Sequence, residues 1–595
     1  MNDTLFGSKI RRKILFYIIS FFSGIVIFQL VKMQLIEKDF YVEKSNENSI
    51  KEVVDYPPRG ILYDRNFKLL LSNKPSFTLR ILPSEYDEKH NSIIDKVLNE
   101  QPGYVKQILN ENKKYSKYIP RKIMRNIDFE TVVWIEENQE YLNGIDYIVE
   151  LQRDYSYGIN GAHLFGYIRE IDSKQLQKHK EYYNIGDFIG YSGVEKAYES
   201  LLRGTKGKKY FIVDSKQKII REYESGQKDV KFEKGFDLVL TIDKNTQQVA
   251  EELFKDKKGA LVALEPSSGE ILAFVSSPSY DLSNLASVTS AEDWINLSSD
   301  INKPLFNRAT MSRNPPGSTI KMVAAVAALE EGIISTSDYV RCRGVFKFGN
   351  KPFKCTHVHG RMNIMSAIEK SCNVFFYNLI LKLGVDRWAK YAHMFGFGKE
   401  TGIDISNEVP GIIPDVNFYN EVYGVGKWTK GYWVSLGIGQ GEIIATPVQL
   451  AKYTALLATM GKSKKPHCLK GFIRTNNNEF YSMDYDEINI EISPKTWEIV
   501  RTAMYKVVNG AGTATNIRSA EYKIAGKTGT VQNPHGEDHA VFVGFAPFDN
   551  PMIAVSVIVE NIGFGSTHAA PIVKAVIDTY LSETNIKNYI SKISN

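Results

Sequence analysis

Residues 522–559, YKIAGKTGTVQNPHGEDHAVFVGFAPFDNPMIAVSVIV, decide the fold. The apolar, β-branched runs at 522–530, 540–545 and 552–559 read as three strands separated by turn-forming segments, and a helix over 571–581 follows them. Working outward, 237–243 reads as a strand and 245–254 as a helix. Residues 259–264 and 270–275, joined by Pro266-Ser267-Ser268-Gly269, form a hairpin. Ala-rich helices are expected at 319–331 and 447–460. Strand, helix, hairpin, a long helical middle and three more strands predict a sheet with helices packed against it, a mixed α/β (α+β) domain over 236–585 with 586–595 as a tail.

Composition bounds the rest. The chain has 595 residues and a formal charge of +6, from 74 Lys+Arg against 68 Asp+Glu. That balance excludes a dedicated nucleic-acid binder, whose affinity needs a concentrated basic excess. With 43% apolar and 24% charged residues the chain is globular rather than disordered. Four Cys are too few for a disulfide scaffold of this size, but enough for one metal site.

Near the start, ILFYIISFFSGIVIFQLV at 14–31 carries no charge. As a helix it spans about 27 Å at ~1.5 Å per residue, enough for a bilayer core. Lys9, Arg11, Arg12 and Lys13 precede it, so residues 1–13 are expected in the cytoplasm and the remainder outside. A cleaved signal peptide is the rival reading, but the run passes into Val31-Lys32-Met33-Gln34 with no Ala-x-Ala-like site. Residues 32–235 are rich in Lys, Glu, Tyr and Asn. Hairpin grammar appears at 56–71, after Tyr56-Pro57-Pro58-Arg59-Gly60, and charged helices at 87–141 read as an inserted head over about 85–145.

Three short motifs carry chemistry. In Pro315-Pro316-Gly317-Ser318-Thr319-Ile320-Lys321 the Pro-Pro-Gly run cannot be helical whereas Thr319 onward can, so Ser318 is expected at a helix N-terminus with Lys321 one turn away on the same face. A serine hydroxyl becomes a nucleophile beside an amine kept neutral by burial or by a second cation. Backbone N–H groups at a helix start favour developing negative charge. The plainer reading is a helix cap with a solvated lysine. Ser215-x-x-Lys218 and Ser225-x-x-Lys228 repeat the spacing in a charged stretch and read as surface. Ser371-Cys372-Asn373 offers a hydroxyl for proton relay and an amide to hold the lysine, or is simply another cap. Lys527-Thr528-Gly529-Thr530 reads as an exposed edge strand: Gly529 admits a substrate chain, Lys527 and Thr528 can hold a carboxylate, and the alternative is a lysine that merely blocks edge pairing. Gly437-x-Gly439-x-Gly441 lacks the Lys-Ser/Thr of a phosphate loop and reads as a turn near the site. His539 and His568 read as structural.

Taken in order, Ser-x-x-Lys, Ser-x-Asn and Lys-Thr-Gly resemble the motif set of penicillin-binding proteins and active-site-serine β-lactamases. Pro57-Pro58-Arg59-Gly60-Ile61-Leu62-Tyr63-Asp64-Arg65 is similar to the juxtamembrane signature of class B penicillin-binding proteins, and Gly193-Val194-Glu195-Lys196-Ala197, Ser277-Pro278-Ser279-Tyr280-Asp281 and His539-Ala540-Val541-Phe542-Val543-Gly544-Phe545 also match that class. The resemblance implies a single-pass protein of the bacterial inner membrane, with an elongated pedestal of the dimerisation type over 32–235 and a periplasmic transpeptidase domain whose antiparallel sheet has helices on both sides. It implies a serine-type D-Ala-D-Ala transpeptidase/carboxypeptidase of cell elongation. Ser318 is then the nucleophile toward stem peptides ending in D-Ala-D-Ala, Lys321 the base and Ser371 the proton relay. Asn373 fixes Lys321, Lys527 and Thr528 bind the terminal carboxylate beside Gly529, and the N–H groups of Ser318 and Thr530 form the oxyanion hole. It further implies trapping by β-lactam antibiotics and a membrane-embedded glycan polymerase, with other elongation proteins, as partners. The rivals within and beyond that reading are a division-type transpeptidase, a carboxypeptidase or β-lactamase, and a penicillin sensor.

The cysteines add one expectation. The spacing Cys342-x12-Cys355-x3-His359-x12-Cys372 offers three thiolates and an imidazole, the ligand set of a closed structural Zn site. Elongation-type homologues of that class are similar in carrying a zinc site at the matching positions, although some use Asp where Cys342 and Cys355 stand here. A Cys342–Cys355 disulfide is the alternative, His357 the competing imidazole, and Cys468 lies too far along.

Overall fold

The computed structural model describes residues 9–38, 50–111, 116–214, 219–286, 289, 291–474 and 477–593, with side chains of 291 and 583–593 left aside. Residues 1–8 of the expected cytoplasmic tail, the Ser215 and Lys218 pair, and the last two residues of the C-terminal tail lie outside the described residues. The chain falls into two compact units, residues 1–57, 76–150 and 204–234 in the first and 58–75, 151–203 and 235–595 in the second.

The second unit is built on a five-stranded antiparallel sheet, in the order Ile271–Ser277, Gly259–Leu264, Ile553–Val559, His539–Ala546 and Ala525–Val531. These strands are apolar without alternation because both faces are covered: every residue of Gly259–Leu264, Ile271–Ser277 and Ile553–Val559 is buried. Pro447–Ala458 packs on one face, while Lys244–Phe254 and Gly565–Ile593 pack against each other and the sheet. Pro447–Ala458 is buried at every position, and polar side chains it takes inside are met by main chain, Gln449 by the Lys399 and Pro410 carbonyls and Thr454 by the Leu450 carbonyl. It starts on a capping box between Thr446 and Gln449 with Pro447 in the first turn.

Three boundaries differ from the sequence expectation, each for a tertiary reason. The helix expected from Thr319 opens with a 3-10 turn, Gly317–Ile320, and is α-helical over Lys321–Glu330. The last helix starts at Gly565 rather than at Pro571, because Gly565 sits where a Cβ would lie 2.2 Å from the Gly529 carbonyl oxygen and only glycine can begin a helix so close to the sheet. The strand expected from Tyr522 begins at Ala525, and Tyr522 instead turns its hydroxyl onto Asp578.

A second sheet of this unit joins Leu62–Tyr63, the first residues of Leu69–Ile81, Asp237–Leu240, Leu469–Ile473 and Phe480–Ser482. Beside it lies a buried ion network. Arg59 donates to Glu199 Oε1 (3.0 Å) and Oε2 (2.7 Å) and to Glu195 Oε2, while Arg153 donates to Glu195 Oε1 (2.6 Å), the Gly60 carbonyl (2.7 Å) and Asn73 Oδ1 (3.0 Å). Arg153 is 1% and Glu195 0% exposed. Gly60 is required here, since a Cβ would lie 1.8 Å from the Phe236 carbonyl oxygen. The motifs at 57–65 and 193–199 are therefore two halves of one buried charge cluster.

The first unit contains a three-stranded antiparallel sheet of Ile50–Asp55, Gly207–Val213 and Ile219–Glu222. Its part over 76–150 is mixed rather than purely helical. The strand Arg121–Ile127 and the helices Asn91–Val97, Tyr104–Glu111 and Phe129–Glu137 enclose a small core that includes Ile94, Val105, Ile123, Val132 and Ile135. Ser225 and Lys228 are exposed, as expected for a surface pair. At the N-terminus Lys9–Val31 is one helix continued by a π-helical turn, Lys32–Ile36; the 28 residues have a mean hydropathy of 2.4 over their best window and fit a single membrane-spanning helix by length and composition.

Removing one partner of a buried ion cluster leaves the other charges uncompensated. Glu195→Ala, which leaves the buried Arg153 without a carboxylate and Arg59 with Glu199 alone, is expected to lower unfolding stability by about 3–5 kcal/mol in urea titrations. A loss within the scatter of surface variants would show that the cluster is solvated.

Candidate active site

The three motifs expected to carry chemistry meet in one place. The 3-10 turn Gly317–Ile320 packs against Ala525–Val531 and also touches His539–Ala546, and every residue of this terminal strand except the half-buried Thr530 is buried rather than exposed. A Cβ on Gly529 would lie 3.0 Å from Thr319 Cγ2 and 3.4 Å from the Pro316 carbonyl oxygen, and a Cβ on Gly317 would lie 3.3 Å from the Thr530 carbonyl oxygen. Glycine at 317 also suits its φ of +57°. On the other side the turn is backed by the 437–441 loop: Gly317 N–H donates to the Gly439 carbonyl at 2.9 Å, and a Cβ on Gly439 would lie 2.0 Å from the Gly317 carbonyl oxygen. The Gly-x-Gly-x-Gly run is thus a structural support, with Gln440 Nε2 donating to the Thr530 carbonyl at 3.4 Å.

Residues three apart eclipse in a 3-10 turn, so Ser318 and Lys321 stack directly rather than being offset as in an α-helix. Ser318 is half-buried, whereas Lys321 is fully buried at the first position of the α-helix. The Lys321 amine donates to Asn373 Oδ1 at 2.7 Å, to the Ser371 carbonyl at 3.0 Å and to Ser371 Oγ at 3.2 Å, and lies 5.1 Å from the Phe376 ring centre. Asn373 starts the helix Asn373–Leu383 with Cys372 as its cap residue, and Ser371 takes a left-handed φ of 54° just before it.

Lys527 is also fully buried. Its amine donates to Ser371 Oγ at 2.8 Å and to the Thr528 carbonyl at 2.9 Å, so two lysines converge on one hydroxyl. The edge-blocking reading of Lys527 is excluded by this burial. Desolvation pulls the Lys321 amine down to about 7, against a smaller opposing effect of the Cys355 and Cys372 thiols. Desolvation, and then the proximity of Lys321, pushes Lys527 well below the ordinary lysine range. One amine can therefore be neutral near neutral pH and act as a base toward a hydroxyl stacked beside it. Thr528 is 8% exposed and shares a hydrogen bond of 2.6 Å with Thr513. Thr513 and Phe376 belong to the site but were not singled out in the sequence; neither carries a motif, and only the fold brings them in.

The candidate metal ligands also assemble. One ligand atom each from Cys342, Cys355, His359 and Cys372 all lie within 4.8 Å of one another. His359 Nδ1 is 3.7 Å from Cys342 Sγ and 3.5 Å from Cys355 Sγ. A tetrahedral ion with ordinary Zn–S and Zn–N bonds needs a sulfur–nitrogen separation of about 3.6 Å, so the donor set fits such an ion. His357 contributes its carbonyl rather than its ring, 3.5 Å from Cys342 Sγ, and Cys468 is buried elsewhere, its N–H on Asp404. All four cysteines are free thiols in this structure. Cys355 Sγ accepts the Asn373 N–H at 3.2 Å, and the Cys355 thiol is held well below its usual range, chiefly by a hydrogen bond from Cys372.

Comparisons of the whole chain with known proteins agree with one another. Residues 259–578 match the penicillin binding protein transpeptidase domain, and residues 54–240 match the penicillin-binding protein dimerisation domain. The chain is 32% identical to the peptidoglycan D,D-transpeptidase MrdA of Haemophilus influenzae, across 96% of this chain and 92% of that protein. It is similar to the penicillin-binding protein 2 solved in complex with MreC from Helicobacter pylori, with a TM-score of 0.77, 28% identity, and 89% of this chain and 99% of that one covered. A structure described as the coordination of polymerization and crosslinking by a peptidoglycan synthase complex matches with a TM-score of 0.72 and 27% identity, covering 96% of this chain and 98% of that one.

The Lys321 amine has a consequence that can be measured without any substrate. Its folded-state value of about 7 lies below the unfolded value of 10.5, so between these pH values the unfolded chain binds more protons and this group makes stability rise with pH. NMR of ε-labelled lysine should show one resonance titrating near pH 7 that is absent from Lys321→Met. A titration near the ordinary lysine value would mean that the amine is charged and solvated.

Proposed function

Because the chain belongs to the penicillin-binding protein transpeptidase family, we propose that it is the peptidoglycan D,D-transpeptidase of cell elongation and rod-shape maintenance, acting through a serine acyl-enzyme. The observation that carries the reading is the convergence of the Lys321 and Lys527 amines on Ser371 Oγ beside the Ser318 turn. Neutral Lys321 takes the Ser318 proton as Oγ attacks the penultimate D-Ala carbonyl of a stem peptide. Ser371 relays that proton to the nitrogen of the departing D-Ala, and Asn373 keeps the amine of Lys321 aimed. The N–H groups of Ser318 and Thr530 hold the developing oxyanion, a role supported by the packing of the Gly317 turn on Thr530. Lys527 supplies positive charge behind Thr528, whose hydroxyl meets the terminal carboxylate, while Gly529 leaves room for the peptide. An amine from a neighbouring stem then attacks the ester, restoring Ser318 and closing the cross-link. With water as the acceptor, the same steps give D-Ala-D-Ala carboxypeptidase activity. A β-lactam presents the same carbonyl and stays bound to Ser318.

The same reading assigns 32–235 as the pedestal with its head at about 85–145, and 236–585 as the transpeptidase domain. Residues 14–31 hold it in the inner membrane with 1–13 in the cytoplasm and the catalytic domain in the periplasm. Its partners are a membrane-embedded glycan polymerase and other elongation proteins, a reading supported by the MreC complex and the synthase complex among its structural relatives. Cys342, Cys355, His359 and Cys372 hold one structural zinc ion, a reading supported by four ligand atoms within 4.8 Å of one another. When bound, zinc ties the Cys342–Cys372 segment together and takes no part in acyl transfer.

Fluorescent penicillin should label the wild-type chain and leave Ser318→Ala unlabelled; full labelling of that variant would remove the nucleophile assignment. Lys321→Ala should lose acylation by about 10²–10⁴-fold while keeping its fold, since the cost falls on proton transfer. Incubation with lipid II and a polymerase should give cross-linked dimers rather than free acid. Metal analysis of chelator-free protein should find about one zinc per chain, lost in Cys372→Ala; metal-free wild type with a Cys342–Cys355 disulfide would refute the site.

A further inference from the structure

Tyr453 lies in the fully buried helix Pro447–Ala458 and is itself 0% exposed, so its hydroxyl is out of reach of water. Its ring is fixed by Phe395, edge-on at 5.2 Å, and by Phe397 at 5.1 Å. A buried phenol needs a hydrogen-bond partner, because an unmet hydroxyl away from water is costly. The partner is unusual: the hydroxyl donates to the main-chain carbonyl of Thr319, at 3.3 Å. That carbonyl is the acceptor that an α-helical turn would offer to the N–H four residues on, at Val323.

The hydroxyl therefore stands at the point where the Gly317–Ile320 3-10 turn becomes the Lys321–Glu330 α-helix. A side chain inserted at an i to i+4 step loosens that step and lets the adjoining turn wind differently. Thr319 is flanked by Ser318 and Ile320, and its own hydroxyl is already turned back on the Pro316 carbonyl at 2.6 Å. With both polar groups of Thr319 committed, the backbone on either side of Ser318 has little freedom. A 3-10 turn at this point eclipses Ser318 with Lys321, whereas an α turn would rotate them apart.

We infer that Tyr453 is a positioning residue for acyl transfer: its hydroxyl, bound to the Thr319 carbonyl, holds the first turn of the catalytic helix in the 3-10 form that stacks Ser318 on Lys321. It touches neither substrate nor reacting atoms. The inference rests on the assignment of Ser318 as nucleophile and goes beyond it, since nothing in the three motifs reaches this helix.

The test is pre-steady-state acylation of the detergent-solubilised full chain by a chromogenic β-lactam, resolving the dissociation constant of the first complex from the acylation rate constant. Tyr453→Phe keeps the ring and removes only the oxygen. It is expected to slow acylation about tenfold, as a small misplacement of a nucleophile does, with the dissociation constant unchanged. Leu456→Ala serves as the packing control. It opens a cavity beside the same buried helix while leaving Tyr453 and the rings that hold it unchanged, and is expected to lower the thermal midpoint while leaving the acylation rate constant within twofold of wild type. An unchanged rate constant in Tyr453→Phe overturns the inference, as does equal slowing by both variants, which would make the effect one of packing alone. If Ser318→Ala still acylates, the nucleophile assignment fails instead, and the two failures are distinguishable.

Discussion

Two buried amines share one hydroxyl, and the catalytic unit is organised around that constraint. Lys321 and Lys527 are each fully buried, and both place Nζ within hydrogen-bond distance of Ser371 Oγ. Two ammonium groups so close and so far from water would repel strongly, so the fold favours giving up at least one proton. That preference turns a lysine, ordinarily a solvated cation, into a base near neutral pH. Everything nearby serves to keep the pair dry and in register: an edge strand supplies one amine, a helix start the other, and the turn at 371–373 the shared oxygen.

Bringing a strand edge, a turn and a supporting loop into such proximity leaves no room for side chains at the points of contact. Gly317, Gly439, Gly529 and Gly565 occupy those points, each with backbone atoms of another segment where a Cβ would stand at 2.0–3.4 Å. Four segments distant in sequence thus converge because each presents bare backbone. The same logic operates far from the site at Gly60, beside the Arg59–Glu195–Arg153 cluster, where backbone proximity and buried charge occur together.

Much of this was legible in the sequence, for identifiable reasons. The strands at 259–264, 540–545 and 552–559 announce themselves as unbroken apolar runs because both faces are covered. Ser318, Lys321, Ser371, Asn373 and Lys527 were legible as a spaced set, and the structure brings the last four into mutual contact. What was not legible depends on what lies across a gap. A terminal strand invites the reading of an exposed lysine, and only the packing of the Gly317–Ile320 turn on it and of Ser371 at its amine reverses that for Lys527. A helix start inferred from Pro-Pro-Gly cannot specify a 3-10 opening, which involves a tyrosine more than a hundred positions away. Thr513 and Phe376 carry no pattern of their own.

Ser371 shows how tightly the parts are bound to one another. A non-glycine residue at a φ of 54° costs on the order of 1–3 kcal/mol and persists only where its surroundings over-determine it. Here Lys321 holds both its carbonyl and its hydroxyl, and Lys527 holds the hydroxyl as well. On its far side, Cys372 caps the helix that Asn373 begins, and the Asn373 N–H is taken by Cys355 Sγ while its side chain receives the Lys321 amine. Asn373 thus connects the thiol cluster to the Lys321 amine through its own backbone and side chain. Ser371, next to Cys372 in the chain, makes a second link through its carbonyl and hydroxyl, so a change in spacing among Cys342, Cys355, His359 and Cys372 reaches the Lys321 amine by two short routes.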